Sequence, residues 1–140
     1  MPRGKYQTFE HTADLGIRVF GRTEKELFAN AAYALFDLMA DLKKVRETES
    51  LAVRLEAADR EDLLVRWLSE LLSLAAARGF LFKNFSFAHL DSTSLQAVAH
   101  GENIDPARHK MKMEIKAVTY HQVEVKKREG RWEGKIIFDV

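Results

Sequence analysis

The amino-acid sequence predicts an α+β fold, a two-layer sandwich with two helices packed on one face of a largely antiparallel sheet. Three observations predict it. Two long stretches carry apolar residues at three- and four-residue steps, several shorter stretches alternate apolar with polar residues, and the alternating stretches follow one another in the chain. A single domain over residues 1–140 is expected. The length is that of one ordinary domain, and seven Gly, two Pro and no Ser- or Gly-rich stretch leave no flexible linker. No repeat at a fixed period is present, which excludes a solenoid.

The elements follow in order. Leu15, Ile17 and Val19 alternate with Gly16, Arg18 and Phe20, the period of a strand. Thr23 offers an N-cap oxygen, and Glu26 three residues later can bond back to the cap amide, opening a helix that reaches about Ala40. Leu27, Phe28, Ala31, Leu35, Leu38 and Met39 form its apolar stripe. Leu51, Val53, Leu55 and Ala57 then mark a strand, and Asp59 caps a second helix over 60–78. The wide stripe of that helix, including Leu64, Trp67, Leu68 and Leu71, makes it the central core helix, and Gly79 suits a left-handed stop. Extended segments are predicted over 80–90, 94–100, 114–120, 122–127 and 132–140. Gly130 turns between the last two, and the longest loop, 103–109, contains Pro106.

Composition excludes more than it identifies. With 46% hydrophobic and 31% charged residues the chain is of the soluble globular class. It has no cysteine, so thiolate metal sites, disulfides and cysteine nucleophiles are all ruled out, and a reducing, cytoplasmic setting is expected. The first residues lack the apolar run of a signal peptide, and no stretch is long and apolar enough to span a membrane. A formal charge of +1 is far from that of a chain built to wrap nucleic acid. Glycine-rich phosphate loops, Gly-x-Ser-x-Gly elbows and His-Glu-x-x-His pairs are absent, so no catalytic residue is assigned.

Three polar features remain. Asp14, at the end of His11-Thr12-Ala13-Asp14, either projects a carboxylate into a cleft or bonds nearby amides in a turn. The segment Lys135-Ile136-Ile137-Phe138-Asp139-Val140 is apolar to its last residue. If Ile136, Phe138 and Val140 face inward, Asp139 lies on the other face with the carboxylate of Val140 close by. Joined by Asp14, these groups would draw in a hard divalent cation; otherwise they are solvated acids at a frayed end. The strand around Lys116 places Lys116, Val118 and Tyr120 on one face, with Lys116 either functional or simply solvated. A His11–His121 transition-metal pair lacks ligand spacing. Lys126-Lys127-Arg128, with Arg131 and Trp132 across the turn, reads either as an RNA contact or as a solvated hairpin tip.

Four segments, Phe9–Ile17, Asp62–Leu72, Ile115–His121 and Phe138–Val140, together resemble the archease family over essentially the whole chain. Leu15 and Val140 are mild departures, standing where the family often has Val and Ile. The resemblance implies a non-catalytic accessory of the RtcB-type RNA ligase that promotes guanylylation of the ligase and its multiple turnover. Contact with tRNA exon halves would be indirect, through the ligase. It further implies Asp14, Asp139 and Val140 as ligands of a divalent cation, Ca²⁺ first and Mg²⁺ or Mn²⁺ next. Lys116, Asp14 and Asp139 are the residues implied in ligase activation. The alternative within the same resemblance is a chaperone-like module for tRNA-modifying enzymes such as a tRNA cytosine methyltransferase.

Overall fold

Seven strands and two long helices are present in a computed structural model that describes residues 4–11 and 13–140. Thr12 of the His-Thr-Ala-Asp motif, residues 1–3 and the side chain of His11 lie outside what is described, and with them the His11–His121 pairing. The order is β1 (Tyr6–His11), β2 (Asp14–Gly21), α1 (Glu24–Met39), β3 (Glu49–Glu56), α2 (Arg60–Arg78), β4 (Phe80–Leu90), β5 (Ser94–Asn103), β6 (Ala117–Arg128) and β7 (Arg131–Asp139). The α+β class is as predicted. All the pairings are antiparallel, but the strands divide into two sheets, β1-β2-β7-β6 and β3-β5-β4, where one was expected. The helices pack against strands of both sheets and against each other, and this joins the two sheets through one core.

Local chemistry explains the helix limits. The Thr23 hydroxyl accepts from the Glu26 amide at 3.0 Å, and the Glu26 carboxylate reaches back to the Arg22 amide at 3.1 Å, one residue before the expected cap amide. Asp59 caps α2 through the Asp62 amide. Gly79 ends that helix at φ 68°, with its amide on the Ala75 carbonyl, a left-handed stop that glycine adopts without a Cβ penalty.

Strand β1 was not anticipated. It pairs with β2 from Tyr6↔Val19 to His11↔Asp14 as the sheet edge. The two segments expected over 114–120 and 122–127 are one strand, β6, which departs from regular pairing between Thr119 and Glu124. There five positions along β6 match two along β7, and Gln122 adopts φ 53°. Residues 114–116 belong to the connection that precedes it.

The core gathers Ile17, Ile136 and Phe138 from the larger sheet with Phe28 and Phe36 of α1 and Trp67 of α2, all fully buried. Trp67 also donates its indole N–H to the Phe28 carbonyl at 3.0 Å, a buried tie between the helices. Trp67→Phe removes that donor and part of the ring volume. Stability should fall by about 1–2 kcal/mol, read as a lower urea midpoint at unchanged slope. An unchanged midpoint would mean that neither the indole hydrogen bond nor the lost ring volume contributes to stability.

Candidate functional site

Alternation along β2 and β7 sorts their side chains between two faces. Leu15 pairs with Phe138 and Ile17 with Ile136 on the helix-covered face. Gly16 with Ile137 and Arg18 with Lys135 occupy the outer face. Continuing this register one residue past Leu15↔Phe138 sets Asp14 beside Asp139, at the ends of neighbouring strands and on the outer face. Val140 packs partly against the core, as its predicted inward orientation requires. Ile137 is on that outer face with Lys135 and is fully buried.

On the other side of β7, Asp139 pairs with Ala117, and the Lys116 amide donates to the Asp139 carbonyl at 2.8 Å. The main chain therefore brings Lys116 to the same sheet end as Asp14 and Asp139. Lys116 and Asp139 are exposed and Asp14 is half-buried. Phe9 lies across Gly16, next to this end. A Cβ on Gly16 would come 2.2 Å from the Phe9 ring, so the close approach requires glycine.

Several residues that support the site are given no role by the sequence. The Thr119 hydroxyl donates to the Ile137 carbonyl at 2.8 Å, and its oxygen accepts from the His121 amide, which steadies the irregular stretch of β6. The Tyr120 hydroxyl donates to Asp62 at 2.6 Å, and Arg66 donates to the same carboxylate at 3.0 Å. These bonds tether the strand after Lys116 to the start of α2. They hold the Asp62 carboxyl down to about 2, with the Tyr120 hydroxyl the main cause.

The connection leading to Lys116 is anchored at its base by Glu102. That carboxylate accepts from Arg108 at 2.7 and 3.1 Å, from the Arg46 amide at 2.7 Å and from Nε2 of buried His109 at 2.9 Å. His109 Nδ1 accepts from the Asp105 amide, which assigns the proton to Nε2. Arg108, first among these partners, and then the Arg46 amide hold the Glu102 carboxyl down to about 2. Further along, the Asp41 amide bonds the Lys110 carbonyl and the Lys112 amide bonds the Met39 carbonyl, fixing the segment to the end of α1. Met111, 46% exposed, and Met113, 37% exposed, then line an open cleft of about 710 Å³ that reaches Lys116.

A small two-helix, seven-strand α+β domain with an acidic pair and a lysine at one sheet end is the class these features define. The sequence profile of the Archease protein family matches residues 6–140, and the chain belongs to that family. The chain is 38% identical to the Protein archease of Pyrococcus abyssi, covering 97% of this chain and 99% of that protein. It is 39% identical to that of Methanosarcina mazei, covering 97% and 96%. The solution structure of Protein 1598 of Methanobacterium thermoautotrophicum superposes with a TM-score of 0.84 at 34% identity, covering 97% of this chain and 99% of that one. The crystal structure of a Thermotoga maritima archease, described as a possible chaperone, shares the fold with a TM-score of 0.66 at 20% identity, over 100% and 98% of the two chains.

Asp62 and Glu102 supply a pH test. Each carboxyl has a lower pKa folded than unfolded, so unfolding takes up protons. The stabilisation they give is complete above about pH 5 and is lost as pH falls through 4 toward 2. Melting temperatures measured from pH 5 to 2 should drop more steeply for the wild type than for Glu102→Gln. The variant should be less stable at pH 5 and converge on the wild type near pH 2. Parallel curves would show that the Glu102 cluster contributes no proton linkage.

Proposed function

We infer that this chain is a non-catalytic accessory of an RtcB-type RNA ligase, acting on tRNA exon halves only through the ligase. The observation that carries this reading is the convergence of Asp14, Asp139 and Lys116 on one end of the larger sheet through the β2–β7 register and the Lys116–Asp139 main-chain bond. Two carboxylates and the main-chain oxygens of Val140 form an oxygen-only donor set, which suits a hard cation, Ca²⁺ first and Mg²⁺ or Mn²⁺ next. Among the described residues no three His, Asp or Glu side chains gather into a metal-binding group. A cation there would therefore have few protein ligands and be held weakly by this chain alone, with a dissociation constant of about 10⁻⁴–10⁻³ M.

When bound, such a cation supplies neutralisation of phosphate charge. The protein's own contribution is positional. Asp14 and Asp139 stand on neighbouring strands of a rigid sheet, and Lys116 ends a segment fixed at Glu102, Met39 and Asp41. Nucleotidyl transfer depends mainly on alignment and charge compensation, so an accessory that presents a lysine and an oxygen-ligated cation can accelerate it without covalent chemistry.

The Met111–Met113 cleft favours a second reading, a chaperone-like module for a tRNA-modifying enzyme such as a tRNA cytosine methyltransferase, because exposed methionines adapt to varied apolar partners.

Ligase turnover with substoichiometric amounts of this chain separates the two. Stimulation should fall at least about tenfold, roughly 1.4 kcal/mol in effective barrier, in Asp14→Asn, Asp139→Asn and Lys116→Ala, with circular dichroism unchanged. Calcium titration should show weak binding to the wild type and none to Asp14→Asn. Full stimulation by all three variants would overturn the accessory reading. Loss of methyltransferase protection in Met111→Asp with Met113→Asp would then favour the module.

A further inference from the structure

We propose that the outer face of the larger sheet, at the end opposite Asp14 and Asp139, is a binding strip for the phosphate backbone of single-stranded RNA. The proposal goes beyond the accessory reading, in which RNA is reached only through the ligase: it adds a direct contact by this chain, and it rests on that reading for the choice of RNA as the anion.

Two adjoining clefts share the Phe20 ring. One, of about 680 Å³ and lying where the sheet end meets the start of α1, is lined by Lys5, Arg22 and Arg131 with Glu26 of α1 as its acid. The other, of about 290 Å³, is lined by Arg18, Lys126, Arg128 and Lys135 with Glu124 and Glu133. Seven cations against three acids is an excess of four on one region of a chain whose formal charge is only +1. The rest of the molecule is therefore net acidic, and the basic region is a local field, sufficient to attract and orient a polyanion.

The placement of these cations follows the sheet. Arg18 and Lys135 are cross-strand partners, Arg128 pairs with Arg131, and Lys126 and Arg128 stand two residues apart on β6; Glu124, opposite Lys135 and ion-paired with Lys126 at 3.6 Å, and Glu133, opposite Lys126, lie among these cations and are outnumbered by them. Cations spaced this way, about 7 Å apart along a strand and about 5 Å between strands, make a narrow track. Arg18 and Lys135 also lie over the Phe9 ring, at 5.4 and 5.6 Å, and so carry positive charge toward the acidic end. From Lys135 to Asp139 is four residues, about 13 Å. A strand seated on the track would therefore bring its terminus to Asp14 and Asp139 within a few nucleotides.

The face lacks what a protein or membrane partner would use. Among the described residues, the large hydrophobic ones that stand exposed, Met111, Met113 and Tyr120, all lie elsewhere. Trp132, grouped in the sequence with Lys126-Lys127-Arg128 as either an RNA contact or a solvated hairpin tip, pairs with Gly21, packs partly against the core and carries Arg60 over its ring. Recognition by this face is thus backbone-directed and independent of sequence.

Fluorescence anisotropy with a labelled single-stranded 12-mer RNA, in EDTA and without ligase, tests the strip. The full chain should bind saturably at 50 mM salt and lose at least about tenfold in affinity by 200 mM. Lys126→Glu with Arg128→Glu should weaken binding at least about tenfold and reduce the salt slope by about 1.4, the value for two lost phosphate contacts. The same charge change at exposed residues outside both clefts, Arg46→Glu with Arg54→Glu, should stay within about twofold of wild type after allowance for net charge. No binding at 50 mM salt, or equal weakening by the two double variants, overturns the proposal. So does an absence of RNA binding accompanied by loss of ligase association in Lys126→Glu with Arg128→Glu, which would assign the strip to an acidic protein surface. Because the RNA measurement contains neither ligase nor divalent cation, failure of the Asp14 and Asp139 variants to affect ligase turnover bears on the accessory reading alone.

Discussion

The antiparallel register of β2 against β7 is the constraint from which the rest follows. It buries Ile17, Ile136 and Phe138 beneath the helices and, through the same pairing, aligns Asp14 with Asp139 on the opposite face. A slip of one residue would turn every side chain of one strand over, exposing the core set and burying the acids. The apolar packing thus fixes the polar geometry. Fully buried branched and aromatic side chains exact a large cost for any misalignment, whereas two carboxylates alone would favour separation.

Not all of this was legible in the chain. Both helices were, because their ends carry chemistry that acts locally: Thr23 with Glu26, Asp59, and Gly79 in the left-handed region. Strand β1 was not, because an edge strand with Gln7, Thr8 and Glu10 exposed buries too little to impose an alternation. Division into two sheets was also hidden, since it depends on which strands pair across the helices. The break near His121 was visible, but its cause is a local irregularity within one strand, held by the Thr119 hydroxyl. The nearness of Asp14 to Asp139 could not come from spacing at all. It is a long-range pairing, and only the resemblance of four separate motifs anticipated it.

Those motifs acquire distinct physical roles in the fold. Asp62, in the second, receives Tyr120, in the third, so one hydroxyl–carboxylate bond connects the central helix to the strand that carries the lysine segment. Thr119 bonds the Ile137 carbonyl on the strand that ends in Asp139. Glu102 and Arg108, outside every motif, fix the base of the connection to Lys116. Their role is mechanical, and a composition-based search for reactive groups passes over them because each is already satisfied.

The path of β1 has a practical corollary. Its first residue, Tyr6, pairs with Val19, while its last, His11, pairs with Asp14, so the polypeptide enters this sheet about 17–20 Å from the acidic end. Immobilisation through the amino-terminal side would leave the Asp14–Asp139 rim facing outward, whereas a surface linked through Val140 would cover it. Sensor experiments that couple the molecule in these two orientations would therefore interrogate opposite poles of the same sheet.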